Sequence, residues 1–272
     1  MLLGANRLIR IPGNLLAGAF NDRLRRRRLF LLGLFLGMLS TFSYGLVRGF
    51  WPLLAARLLW GMAWSLINVG GYTMILDYST PADRGRMTGF YQLAFMLGLA
   101  VSSILGGALT DALGFRLAVR ICAAVTAFGL LVALVALPET RPVADSPRDM
   151  AWQIVPRRWL GGLGTRLRKL DRRILLAAYI YLVTYFVNGG VLMSTISLYL
   201  GRRWGEGITL GRAVIGVALL AGVMLAMRAL LGMVAGPVAG VLSDRLGGRW
   251  PVVRGGILLG VAGFAILLCP AV

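Results

Sequence analysis

The sequence predicts an all-α protein that crosses a membrane many times, with about eight transmembrane helices. Three observations predict it. Of the 272 residues, 58% are hydrophobic and only 14% are charged, with a mean hydropathy of +0.78; soluble domains carry about 25% charged residues. Apolar stretches of about 20 residues, the length that crosses hydrocarbon, recur from end to end. The arginines behind the net charge of +19 cluster in short loops between those stretches, which argues against a nucleic-acid-binding face. Barrel strands would read as ~10-residue alternating segments, and none occur.

Charged clusters divide the chain into eight expected spans, near 2–20, 29–47, 52–76, 87–110, 117–137, 173–200, 213–242 and 254–272. Arg23 and Arg25 to Arg28 separate the first span from the second, and Arg48 the second from the third. Arg84 and Arg86 separate the third from the fourth, and Arg116 the fourth from the fifth. Nine cations between 138 and 173 separate the fifth from the sixth. Arg202, Arg203 and Arg212 close the sixth, and Arg245, Arg249 and Arg254 close the seventh. Nineteen basic residues fall in alternate loops on one side and five on the other. The rich side is cytoplasmic by the positive-inside rule, which places loops 21–28, 77–86, 138–172 and 243–253 inside. A bacterial plasma (inner) membrane is the expected location.

The long loop contains Pro138, Pro142, Pro147 and Pro156, so it cannot begin as one helix. Further on, Trp159, Leu160, Leu163, Leu167 and Leu170 recur at helical spacing among cations. That pattern predicts a short amphipathic segment on the inner membrane surface. The loop divides the chain into 1–137, the connector 138–172, and 173–272.

Chemistry-bearing residues are few. There is no histidine, and Cys122 and Cys269 lie far apart in apolar spans. This excludes a disulfide framework, a zinc site and a Cys–His nucleophile. All ten acids lie in loops or at span ends, so the reactive sets of intramembrane enzymes are missing. The chain is expected not to be an enzyme and to hold no metal or cofactor.

Two loops share one pattern. "GAFNDRL", Gly18 to Leu24, and "GVLSDRL", Gly240 to Leu246, both read Gly-x-x-x-Asp-Arg-Leu. "RLLWG" (Arg57–Gly61), "DYSTPADRGRMTGFY" (Asp77–Tyr91), "GGALTDALGFR" (Gly106–Arg116) and "LPET" (Leu137–Thr140) follow in order. Together they resemble the major facilitator superfamily over essentially the whole chain, with the eight spans standing for family helices 2 to 9. Helix 1 and helices 10 to 12 would then be missing, since Met1 opens almost inside a span and Val272 ends inside another. The first loop has Arg25 where the family carries glycine. Ser102 and Ser103 stand where drug/proton antiporters have a Gly-Pro signature.

The resemblance implies a fold of two helical bundles that rock about a midplane site. It also implies a cytoplasmic latch, in which a loop carboxylate caps a helix of the opposite half. Asp22, Arg23, Asp77, Arg86, Asp244 and Arg245 are its expected members, with Asp244 facing the chain near Arg86 to Thr88. Small residues recur every fourth position at Ala94, Gly98, Ser102 and Gly106, and again at Gly232, Gly236 and Gly240. Such stripes let helices approach closely in lipid, and the family's helices 5 and 8 meet there across the two halves.

For the cavity, Arg57, Trp64, Asn68 and Tyr72 share one helical face, as do Tyr181, Tyr185 and Asn188. A cation within a span is costly and usually faces an interior or a water-filled cavity. Arg57 is therefore the leading substrate or coupling residue, the alternative being that it snorkels from the outer end. Arg7, Arg10 and Arg228 are read as marking the outer interface. The implied activity is alternating-access transport of a small solute, a drug-like amphiphile for efflux being favoured. An organic-anion or sugar-type carrier, a uniporter and a non-transporting membrane remnant are the alternatives. The expected partners are a small-molecule substrate and the lipid bilayer, not nucleic acid, around a monomer. Proton coupling is open, because no acid lies deep in a span.

Overall fold

A computed structural model of the chain describes residues 2–140, 172–205, 207–210 and 213–268. Nine α-helices are found among them. They are α1 (Leu2–Arg23), α2 (Arg26–Tyr44), α3 (Phe50–Tyr78), α4 (Arg84–Leu113) and α5 (Phe115–Ala136), then α6 (Arg172–Tyr185), α7 (Met193–Trp204), α8 (Val217–Arg245) and α9 (Arg249–Leu268). A π-helical segment, Phe186–Leu192, joins α6 to α7 without a break. Two antiparallel strands, β1 (Gly207–Leu210) and β2 (Ala213–Gly216), lead into α8. The expected amphipathic segment, at Trp159 to Leu170, lies outside the described residues.

Six of the described helical segments are long and apolar enough to cross a membrane, against the eight expected. The composite of α6, the π segment and α7 is one of them. The shortfall is α1 and α2, which are helical but polar for spans. α1 carries Asn6, Arg7, Arg10 and Asn14, and α2 opens on three arginines. The expected span at 213–242 is corrected as well. Its first residues, Ala213–Gly216, pair as a strand, and the helix runs instead from Val217 to Arg245.

Packing follows the rule for lipid rather than water. The buried residues are mostly small, among them Ala17, Ala56, Ala63, Ala100, Ala118, Ala123 and Ala226. The large apolar side chains, such as Phe90, Phe128, Val135, Leu231 and Leu259, point outward. Helices meet through small faces because lipid tails are as apolar as leucine, so burying leucine between helices gains little.

α3 packs between α1 and α2, and α5 packs on α2 and α4. The Arg57–Gly61 motif has a packing role in this arrangement. A Cβ on Gly61 would meet Ile9 and stand 2.7 Å from the Asn6 carbonyl oxygen. At the same crossing the Asn6 amide donates to the Arg57 carbonyl at 3.2 Å. Between α2 and α3, the buried Ser40 hydroxyl donates to the Ala56 carbonyl at 2.7 Å. Gly114 alone separates α4 from α5, with φ +78°, a conformation that a residue with a Cβ adopts only with strain.

The arginine run after α1 does more than hold a loop inside. The Arg26 guanidinium pairs with Asp77 and also donates to the Thr73 carbonyl, tying α2 to the end of α3. Arg27 donates from its side chain to the Leu134 carbonyl, and from its backbone N–H to Glu139, tying α2 to the end of α5. The Arg26 and Asp77 side chains are 12% and 26% exposed, so solvent screens the pair only partly. Asp77→Asn is expected to cost about 1–2 kcal/mol, read by denaturant unfolding in detergent micelles. An unchanged midpoint would mean that the neighbouring carbonyls hold α2 unaided.

Candidate functional site

α4 and α8 form the principal contact between the first five helices and the last four. They run antiparallel. Gly107 lies against Ala218 and Leu219, Gly222 against Ser103 and Ile104, and Ala100 against Ala226 and Ala229. A Cβ on Gly107 would stand 2.8 Å from Leu219 Cα, and one on Gly222 would stand 3.0 Å from the Ser103 carbonyl carbon. The neighbours are backbone atoms, which cannot rotate aside.

One end of this seam is capped. Asp111, near the end of α4, accepts hydrogen bonds from the backbone N–H groups of Ala218 (3.2 Å) and Leu219 (2.7 Å) in the first turn of α8. Those N–H groups have no partner within their own helix. The helix N-terminus also carries about half a positive charge. Asp111 therefore fastens the two halves at the end away from the arginine-rich loops, here called the outer end.

Beyond Ala100 and Ala229 the two helices diverge. Among the described residues, no atom beyond the neighbouring turns of the same helix lies within 4 Å of where a Cβ would stand on Gly85 or Gly89 of α4, or on Gly232, Gly236 or Gly240 of α8. A cavity of about 690 Å³ opens there. Its α4 wall includes Gln92, Leu93, Phe95, Met96 and Leu99, and its α8 wall includes Leu225, Arg228, Met233 and Pro237. Arg7 of α1, Tyr185 of α6, Gly189 of the π segment and Met193 of α7 complete it.

Arg7 is held by several contacts. Its guanidinium lies over the Tyr185 ring, 5.1 Å from the centroid, and donates to Met193 Sδ at 3.6 Å. Gly189 is buried beside it, where a Cβ would stand 2.9 Å from Arg7 Nη1. The π segment supplies that approach at the cavity wall, a setting in which such distortions recur. Arg228 has no hydrogen-bond or ion-pair partner among the described residues.

A second cavity, of about 270 Å³, is lined by Trp64, Ile67, Asn68, Tyr72, Tyr91, Gln92 and Phe95. The Tyr72 hydroxyl and the Gln92 amide oxygen are 2.5 Å apart. Tyr91 stands edge-on to Tyr72, and Phe95 lies against Trp64. Arg10 lies over the Trp64 ring at 5.1 Å.

The expected site residues are distributed unevenly over this geometry. Trp64, Asn68 and Tyr72 face the smaller cavity and Tyr185 the larger one, while Tyr181 is exposed and stacks on Tyr185. Arg57 lines neither of these two cavities, and its guanidinium lies 4.8 Å from the Tyr44 ring centroid, between α3 and α2. The cations that line the larger cavity are Arg7 and Arg228, where the sequence pattern places them at the outer interface. The cost of a charge in a span was the signal that could have found them, but the helical-face count favoured Arg57.

The stripes are corrected too. α4 and α8 pack, but through Ala100, Ser103 and Gly107 against Gly222, Ala226 and Ala229. Gly98 and Ser102 are exposed, nothing stands near the Cβ position of Gly106, and Gly232 and Gly236 line the cavity. Gly240 is exposed as well.

Among the latch residues, Asp77 pairs with Arg26. The side chains of Asp244 and Arg245 are exposed and have no hydrogen-bond or ion-pair partner among the described residues. Arg86 is exposed near Asp83. Hydrogen bonds from the Thr80 hydroxyl, and then from its N–H, hold the Asp83 carboxyl below the usual carboxylate range. The side chains of Asp22, Arg23 and Asn188 lie outside the described residues. Asp111 went unnoticed in the sequence because it sits in a motif of many small residues, with no cation beside it.

Comparison with known proteins adds a family match. The model of the Major Facilitator Superfamily matches residues 1–272. A probable vesicular acetylcholine transporter-B of Danio rerio is 30% identical over 151 residues, 55% of this chain and 30% of that protein. The MFS antiporter QDR3 of Candida albicans is 27% identical over 128 residues, 47% of this chain and 18% of its own length. Multidrug resistance protein 3 of Bacillus subtilis is 26% identical over 99 residues, 36% of this chain and 19% of its own length. The chain thus matches less than a third of the length of each of these relatives.

Proposed function

The chain belongs to the Major Facilitator Superfamily, and from that membership we propose that it carries a small amphiphilic solute across a membrane by alternating access. It is an integral, multi-pass membrane protein. The observation that carries the reading is the asymmetry of the α4–α8 seam, packed and capped at the outer end and open at the other. This is the arrangement expected of a carrier whose cavity faces the cytoplasm.

The proposed working division is 1–137 against 173–272, joined by 138–172. Asp22, Arg23, Asp77, Arg86, Asp244 and Arg245 are proposed as the cytoplasmic latch. In that scheme Asp244 lacks a partner because the inner ends stand apart, and it acquires one when they close. Efflux across a bacterial inner membrane is the favoured direction and location, supported by the multidrug relative named above. The cavity's aromatic and methionine lining, with Phe95, Met96, Tyr185 and Met233, suits an amphiphile.

Counterflow in vesicles containing the chain tests this reading. Labelled aromatic solutes that differ only in charge are offered against a saturating internal pool. At least one is expected to exchange saturably above protein-free vesicles, and Asp244→Asn is expected to slow that exchange several-fold. No exchange of any solute would favour the non-transporting reading.

A further inference from the structure

We infer that the larger cavity selects an organic anion, an aromatic or aliphatic body bearing a carboxylate or sulfonate, with Arg228 and Arg7 as the residues that recognise its charge. The inference rests on the transport reading of the same cavity and adds the charge of the solute.

Two guanidiniums face this space, and among the described residues that line it there is no Asp or Glu. The ion pair that joins Arg26 to Asp77 lies elsewhere in the molecule. A cation in an apolar setting is costly unless it is paired or wet. Arg7 recovers part of that cost from the Tyr185 ring. Arg228 has no such contact among the described residues.

The chain also makes room for these charges. Gly189 is the buried residue whose missing side chain admits the Arg7 guanidinium, and it lies in the irregular π segment. On α8, Arg228 is 11 residues from the first residue, Val217, or about 16 Å at 1.5 Å per residue. That is near the midplane of a hydrocarbon core about 30 Å thick, too deep for an arginine that merely marks the outer surface. A fixed fork of donors at that depth can engage two oxygens of a carboxylate or sulfonate at once. An organic cation would meet uncompensated repulsion in the same place.

Equilibrium dialysis of the chain in phosphatidylcholine nanodiscs tests the assignment, with empty discs subtracted. The probes are naphthalene-2-sulfonate, neutral 2-naphthol and the naphthyl trimethylammonium cation, which share one body. The sulfonate is expected to bind about tenfold or more tighter than the cation. Arg228→Gln is expected to remove most of that preference, and Arg228→Lys is expected to restore part of it. Arg7→Gln is expected to act in the same direction. A thermal unfolding midpoint close to that of the parent chain, read by circular dichroism in the same discs, shows that the variants remain folded. A cation that binds as tightly as the sulfonate would overturn the anion assignment while leaving the cavity reading intact, as would sulfonate binding insensitive to both arginines. Failure of all three probes to bind would overturn the cavity reading, and the anion assignment with it.

Discussion

Leucine in place of Gly222 drives α4 and α8 apart at their outer ends. The new side chain would enter the space held by the Ser103 carbonyl and Ile104 Cα. Backbone atoms cannot swing away, so the whole helix must shift. Gly107→Leu does the same from the other side, against Ala218 and Leu219. Overpacking of this kind costs about 1–3 kcal/mol when side chains can yield, and here they cannot, so about 3 kcal/mol or more is expected. Spin labels at Leu113→Cys and Ile215→Cys, with both native cysteines replaced by alanine, would report the separation. The distance should widen by several ångströms in Gly222→Leu and stay unchanged in Ala235→Leu, whose exposed site on the same helix has room. Equal distances in wild type and Gly222→Leu would mean that the seam is not held by backbone proximity.

Asp111→Asn leaves the seam's shape intact and removes its fastening. Asparagine keeps one acceptor oxygen but loses the charge that the α8 terminus favours. The loss is about 1–2 kcal/mol, combining a weakened cap with the helix-dipole contribution. If the protein exchanges between outer-closed and outer-open forms, that shifts the balance toward opening by a factor of about 5–30. A single cysteine at Ser103, under the seam, should then react several-fold faster with a membrane-impermeant thiol reagent applied from outside. No change in labelling rate would remove Asp111 from the gating scheme, whatever its effect on stability.

Much of this fold could be read from residue order alone. Spans of about 20 apolar residues and the side on which arginines collect are one-dimensional properties, and a helix in lipid satisfies its backbone within itself. The pairing of α4 with α8 was also legible, through the resemblance. What failed was rotation about the helix axis. A stripe with a period of four names a face only to within about 100° per residue, so Gly98 pointed two residues away from Ala100, and Ser102 and Gly106 one residue away from Ser103 and Gly107. Arg57 failed for a related reason. Its face of α3 was judged from Trp64 and Tyr72, two turns and more away, where the helix has rotated relative to its neighbours. Arg228 was legible, since it lies at the centre of the expected span 213–242, where a charge usually faces a cavity or a partner; the strand Ala213–Gly216 only moves the start of α8 four residues along the chain. Asp111 illustrates a contact with no local signature, since its partners are backbone groups more than 100 residues away.

Gln92 and Phe95 line both cavities, so the partition between the two is one layer of side chains, held shut where Tyr72 meets the Gln92 amide. That contact is one hydrogen bond, worth about 1 kcal/mol net, so this part of the boundary rests on side chains.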